Sequence, residues 1–167
     1  MKPTCMNRAA VRRQRGISMV ESLVALVVIG VGMLGIAGLY LSSLQSSRTA
    51  KLRSYAVELA GSIADKIRAN RDAAAAYDTS KYGGAPKTKD CDTKTCLAAD
   101  IAQDDLAHWI EDIKAQLPGA AKVKGTVAVT DRAAPNLDSY LITVTWREAN
   151  SDIDYSYVVP LNLVNES

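Results

Sequence analysis

Histidine and cysteine are scarce here: one His and three Cys in 167 residues. The only histidine is His108, and Cys91 and Cys96 have no further ligand close by in sequence, so no metal site is expected. No glycine-rich phosphate loop occurs. His108 is flanked by Asp104 and Asp112 at one helical turn on either side, a trio that reads as a solvated polar face rather than part of a nucleophilic relay. The lysines Lys81, Lys87, Lys89 and Lys94 are offset by Asp78, Asp90 and Asp92, so that stretch reads as a solvated loop. These absences point away from catalysis. No catalytic residue, cofactor or small-molecule substrate is expected.

Two further absences are local. Residues 1–16 contain no acid but hold Lys2, Arg8, Arg12, Arg13 and Arg15. Without them the net charge of +2 becomes about −3, from 15 basic and 18 acidic residues, so bulk charge gives no reason to expect a nucleic-acid partner. Leu23 to Leu41 is a run of 19 residues with no charge. As a helix it spans roughly 28 Å, close to the hydrocarbon core of a bilayer. It is too long for the apolar region of an ordinary secretory signal, and no A-x-A site follows it directly. The basic flank in front orients the N-terminus to the cytoplasm and the remainder outside. An oxidising exterior favours a Cys91–Cys96 disulfide over two free thiols or half a metal site.

Glu21 conflicts with this picture. An acid at mid-membrane costs roughly 2.5–3.5 kcal/mol, which makes Glu21 a functional candidate; the bland alternative is an interface marker at the cytoplasmic end. Gly30, Gly32, Gly35 and Gly38 sit in the same run. Small residues let helices approach closely in lipid, though glycine is also simply tolerated there.

Helical periodicity continues beyond the apolar run. Leu52, Tyr55, Ala56, Leu59, Ala60, Ile63 and Ile67 form one stripe, so a single helix from about Ser18 to about Ala75 is expected, apolar all round and then amphipathic. A second helix is expected from Asp100 to Leu117, with Asp100 and Gln103 as a capping box and Leu106, Trp109, Ile110, Ile113 and Leu117 on its apolar face. Pro118–Gly119 ends it. Strands follow in KVKGTVAVT, SYLITVTW and YSYVVPLNLV, with turns at Pro135, Asn136 and Asp138 and at Asn150, Ser151 and Asp152. Pro160 places the third strand at an edge or interrupts it. The fold class is therefore α+β, a long helix on an antiparallel sheet of three to four strands, with one extra helix.

Gly16 followed by ISMVESLVALVVIGVGMLG resembles the leader and membrane segment of type IV prepilins. The resemblance implies cleavage between Gly16 and Ile17 by prepilin peptidase and N-methylation of Ile17. It makes Glu21 the fifth mature residue, the acid that family models pair with a neighbouring subunit's terminal amine. Ile17 departs from the usual Phe, and the midway proline is absent. DLAHWIEDIKAQLPGA and YLITVTW resemble the PilV-like minor pilins through Trp109, Leu117–Pro118–Gly119, Ile142, Val144 and Trp146.

The implied organisation is a cleaved leader 1–16, a transmembrane and assembly half 17–41, an amphipathic half 42–77, a cysteine-pinned loop 78–99 and a headgroup 100–167. The implied role is a minor pilin that helps initiate type IV pili and enters them. Its partners are the inner membrane, other minor pilins and the major pilin. A type II secretion pseudopilin and a signal-anchored periplasmic enzyme are the alternatives.

Overall fold

The computed structural model describes residues 16, 18–130, 137–149 and 151–164. The basic leader residues, Cys5, Ile17, and the turn residues Pro135, Asn136 and Asn150 lie outside the described residues. Two compact units divide the chain, one up to Gln45 and one from Ser46 onward. Helix α1, Met19–Ala69, runs through both.

In the first unit the helix is long and apolar enough to cross a membrane, and no part of that apolar window is buried. In the second unit the expected stripe is the buried one: Leu52, Ala56, Leu59, Ala60, Ile63, Ala64 and Ile67. Ala56, Ala60 and Ala64 recur every fourth residue, so a line of small side chains lets neighbouring elements approach the helix axis closely.

α1 ends at Ala69, short of the expected Ala75. The Ala73–Ala76 run favours helix by propensity, but tertiary contacts override it. Asn70 leaves helical geometry at φ −113° and ψ 48°, and its side-chain Nδ2 donates to the Ala98 carbonyl at 2.8 Å. A tighter 3-10 segment, Arg71–Tyr77, follows. It brings Tyr77 back against α1, its hydroxyl 3.3 Å from the Lys66 carbonyl and donating to Oδ2 of Asp105, on the following helix, at 2.6 Å.

The second helix, α2 (Ala98–Gln116), starts two residues before Asp100. Its N-cap position is Leu97, which makes no side-chain cap bond, so the expected capping box does not form. Asp100 instead occupies the first turn, where the helix dipole favours an acid, and lies 3.3 Å from Lys89 Nζ. Trp109 and Ile113 are buried, and the Trp109 indole N–H donates to the Leu59 carbonyl of α1 at 2.8 Å.

Strands β1 (Lys124–Val129), β2 (Leu137–Arg147) and β3 (Asp154–Val164) form one antiparallel sheet in the order β1-β2-β3. Tyr140, Ile142, Val144 and Trp146 alternate inward along β2, as their spacing requires. Pro160 stands opposite Leu141 on β3, an edge strand that continues through it. Gly125 is the tightest point. A Cβ there would overlap Ile113 Cδ1 and lie 2.7–2.8 Å from the Trp109 ring, so only glycine lets α2 pack on β1.

Candidate functional site

Three regions carry the candidate residues. At the start of α1, the Ser18 carbonyl accepts the amides of Glu21 at 3.0 Å and Ser22 at 3.1 Å. Glu21 stands in the first turn, exposed, beside the helix's free N–H groups. Ser18 and Glu21 have the S-x-x-E spacing of a capping box, so the carboxylate has a local helical reason to be there besides any assembly role. Gly16 lies two residues before this cap, exposed, with open space around it.

The apolar surface that follows is uncovered. Leu23, Val27, Leu34 and Leu41 are all exposed, Leu34 at 74%. A Cβ at Gly30, Gly32, Gly35 or Gly38 would meet nothing within 4 Å. Among the described residues no contact therefore requires these four glycines. This side of the helix is chemically suited to lipid or to other apolar helices.

The second region is the cysteine loop. Cys91 and Cys96 are joined, with Cα atoms 5.6 Å apart. Asp104 fastens the same loop: its Oδ1 accepts the Lys89 amide at 2.5 Å. This corrects the expectation that the Asp104–His108–Asp112 face is solvated throughout. Asp104 is 5% exposed, because the loop backbone covers it. Its other oxygen is 3.5 Å from His108 Nδ1, while Asp112 is exposed. Among the described residues no hydroxyl or thiol hydrogen-bonds to His108.

The loop is also more ordered than its composition suggests. Asp78 caps a 3-10 turn, Thr79–Tyr82, by accepting from the Ser80 amide at 2.9 Å. Thr79 Oγ1 donates to the Val127 carbonyl at 3.0 Å and accepts the Val127 amide at 3.2 Å. One hydroxyl thus stands in for a strand partner on β1. Threonine in a Gly/Lys/Asp-rich stretch gives no signal of this in sequence. Nearby, burial first and the Asp105 carboxylate second push the Tyr77 phenol far above its ordinary value of 10.0.

The third region joins the two segments that carry the PilV-like resemblance. Gly119 has φ +116°, and a Cβ there would lie 2.9 Å from Arg147 N and O. The Arg147 amide donates to the Pro118 carbonyl at 3.3 Å. The Leu-Pro-Gly end of α2 and the end of the ITVTW strand are therefore one structural corner, and each needs the other.

Against known proteins, the family described as Prokaryotic N-terminal methylation motif matches residues 11–37, and the family described as Type IV pilin Tt1218 matches residues 38–107. No curated protein matches the chain, and no solved structure does. The two matches include Gly16, Ile17, Glu21, all of α1 and the cysteine loop, and they stop before Trp109. They meet within α1, so the methylation signal and the pilin segment are read on one continuous helix, and over residues 11–107 the chain is similar to type IV prepilins.

Proposed function

We propose that this chain is a minor pilin, of PilV-like type, that takes part in starting pilus assembly and is then built into the filament. The observation that carries the reading is the apolar half of α1, exposed along its whole length with Glu21 in its first turn. A surface of that kind is stable only in lipid or among other helices. The minor-pilin assignment is supported by the corner in which Pro118 and Gly119 meet Arg147, since it unites both segments of the PilV-like resemblance.

In this reading residues 1–16 orient the precursor in the bacterial inner membrane and are removed by prepilin peptidase. Residues 17–41 form the membrane and assembly half, and residues 42–77 the half that carries the headgroup. Loop 78–99 and residues 100–167 complete a periplasmic headgroup. Cutting after Gly16 creates an amine at Ile17, which is then methylated. Glu21 answers the amine of a neighbouring subunit, other minor pilins or the major pilin. Among packed helices an unpaired carboxylate is costly, so one axial register is favoured over its neighbours.

The test is to purify filaments and membranes from cells carrying the wild-type chain or Glu21→Ala and to identify the subunits by mass spectrometry. The expected result is N-methyl-Ile17 as the terminal residue, a sub-stoichiometric amount in wild-type filaments, and a variant retained in membranes but lost from filaments. Normal incorporation of a stable Glu21→Ala variant overturns the pairing. An intact Met1 overturns the processing. Loss of secretion with normal pili on deletion of the chain would move it to a type II pseudopilus.

A further inference from the structure

The charges of α1 are unevenly spread. From Ser22 to Val57 the chain carries no acid, and its cations in that stretch are Arg48, Lys51 and Arg53. All three are exposed. They follow Leu44, where the exposed large apolar side chains of the run end, by four to nine residues. Ser42, Ser43 and residues 45–47 are polar and uncharged.

No acid compensates these cations. None of the three forms an ion pair among the described residues. Glu148 packs on this turn of α1, but its Oε2 accepts from Thr49 Oγ1 at 2.9 Å and its Oε1 is buried. The next acid along the helix is Glu58, five residues past Arg53. Lys51 Nζ stands 5.5 Å from the centre of the Tyr55 ring, a contact that steadies the ammonium without neutralising it.

The arrangement around the helix decides what can meet these charges. At about 100° per residue, Lys51 and Arg53 point about 200° apart, and Arg48 lies about 140° from Arg53. The buried stripe that starts at Leu52 and Ala56 runs between them. The cations therefore form a collar, not a face. A one-sided protein partner reaches only one flank of it. Further copies of this helix packed in near register bring no acid to it, since residues 22–57 lack one. A lipid surface surrounds the helix and offers phosphates on every side. From Arg48 to Arg53 the helix rises about 7.5 Å, comparable with the headgroup layer on one side of a bilayer, about 5–7 Å thick. Helical side chains lean towards the N-terminus, here back towards the apolar run, and long basic stems carry their charge further the same way.

We propose that Arg48, Lys51 and Arg53 bind the headgroups of anionic phospholipids in the exterior leaflet, where α1 leaves the bilayer. The inference rests on the reading of α1 as a membrane helix before assembly and adds a ligand class to it. Cleavage after Gly16 removes the basic residues of the leader, whereas the collar stays with the mature subunit and fixes its depth in the membrane.

The test replaces exposed Ser47 in the full chain by the photo-crosslinking residue p-benzoylphenylalanine. The chain is placed in vesicles of equal parts phosphatidylcholine and phosphatidylglycerol, and the crosslinked lipid is identified by mass spectrometry. Phosphatidylglycerol is expected to exceed phosphatidylcholine at least about fivefold, the effect of one cation's attraction to an anionic leaflet. Arg48→Gln/Lys51→Gln/Arg53→Gln should bring the ratio to about one with insertion unchanged. Lys87→Gln/Lys94→Gln/Lys114→Gln removes the same charge elsewhere in the headgroup and should keep the wild-type ratio. Equal crosslinking of the two lipids by the inserted wild-type chain overturns the inference alone. So does a preference retained in the collar variant, or crosslinks to a second chain in place of lipid. A chain that fails to float with the vesicles overturns the membrane reading, and the inference with it.

Discussion

Helix α1 contains two regions with the same backbone and opposite fates. Up to Leu44 its large apolar side chains are exposed, whereas from Leu52 to Ile67 an apolar stripe is buried. Hydrophobicity alone does not separate them, since the more apolar region is the uncovered one. The difference is in periodicity. Lys51, Arg53, Glu58, Asp65 and Arg68 restrict the apolar face of the second region to one side, which a single sheet and α2 can cover. The first region is apolar all round, and no one-sided partner can cover it. A small headgroup covers only the second region; the first suits lipid or other apolar helices.

The sharpest way to break this comparison is to remove the same side chain from each region, with the full chain in detergent micelles. Ile63 is fully buried, so Ile63→Ala should destabilise the headgroup by about 2–5 kcal/mol, read as a lower denaturant midpoint. Ile36 is 69% exposed, and Ile36→Ala should leave that midpoint where it is. Equal losses would mean that the apolar half is part of the headgroup's cooperative unit.

Glycine gives a second contrast. Gly125→Ala forces a methyl into Ile113 and Trp109, and should cost about 1–3 kcal/mol. Gly35→Ala meets nothing within 4 Å and should not lower headgroup stability. A loss of pili with normal headgroup stability in Gly35→Ala would assign that glycine to contacts between subunits.

The disulfide should matter to the headgroup alone. Replacing Cys91 and Cys96 together by Ser reopens a short loop, at a cost of about 2 kcal/mol in the chain-entropy account. Asp104 still holds Lys89 in that variant, so the loop should stay docked, with only modestly faster amide exchange. Full exposure of the loop would show that the carboxylate contributes little.

The smallest effect is one of pH. Tyr77 resists ionisation in the folded chain, while in the unfolded chain it titrates near 10.0. Its contribution is therefore complete below pH 10 and is lost as pH rises above it, by about 1 kcal/mol at pH 11. Tyr77→Phe should flatten that part of the stability profile, and the denaturant midpoint between pH 9 and 11 checks it. An unchanged slope would assign the alkaline sensitivity elsewhere.

Much of this architecture is legible in the sequence. The buried stripe of α1, the alternation of β2, the edge position of Pro160 and the end of α2 before Pro118 are patterns within one segment. The end of α1 is not legible. Four consecutive alanines favour helix, yet Asn70 turns the chain because Ala98 and Asp105 wait for Asn70 and Tyr77. The start of α2 is missed for a similar reason: Asp100 has the right spacing for a cap but is drawn into the first turn, facing Lys89. Thr79 and Asp104, which fasten the cysteine loop to β1 and α2, look like ordinary polar residues until the fold brings their partners within reach.

By itself the sequence determined the membrane-length apolar run, the Gly16–Ile17–Glu21 spacing, the buried stripe and the cysteine pair. These depend on residue type and local period, and on forces that act within a few turns of chain. Only the tertiary structure decided where α1 stops, why position 125 must be glycine, and how Pro118 and Gly119 meet Arg147. Each of those is a contact between residues distant in sequence, and no local propensity encodes a partner that only the folded chain brings near.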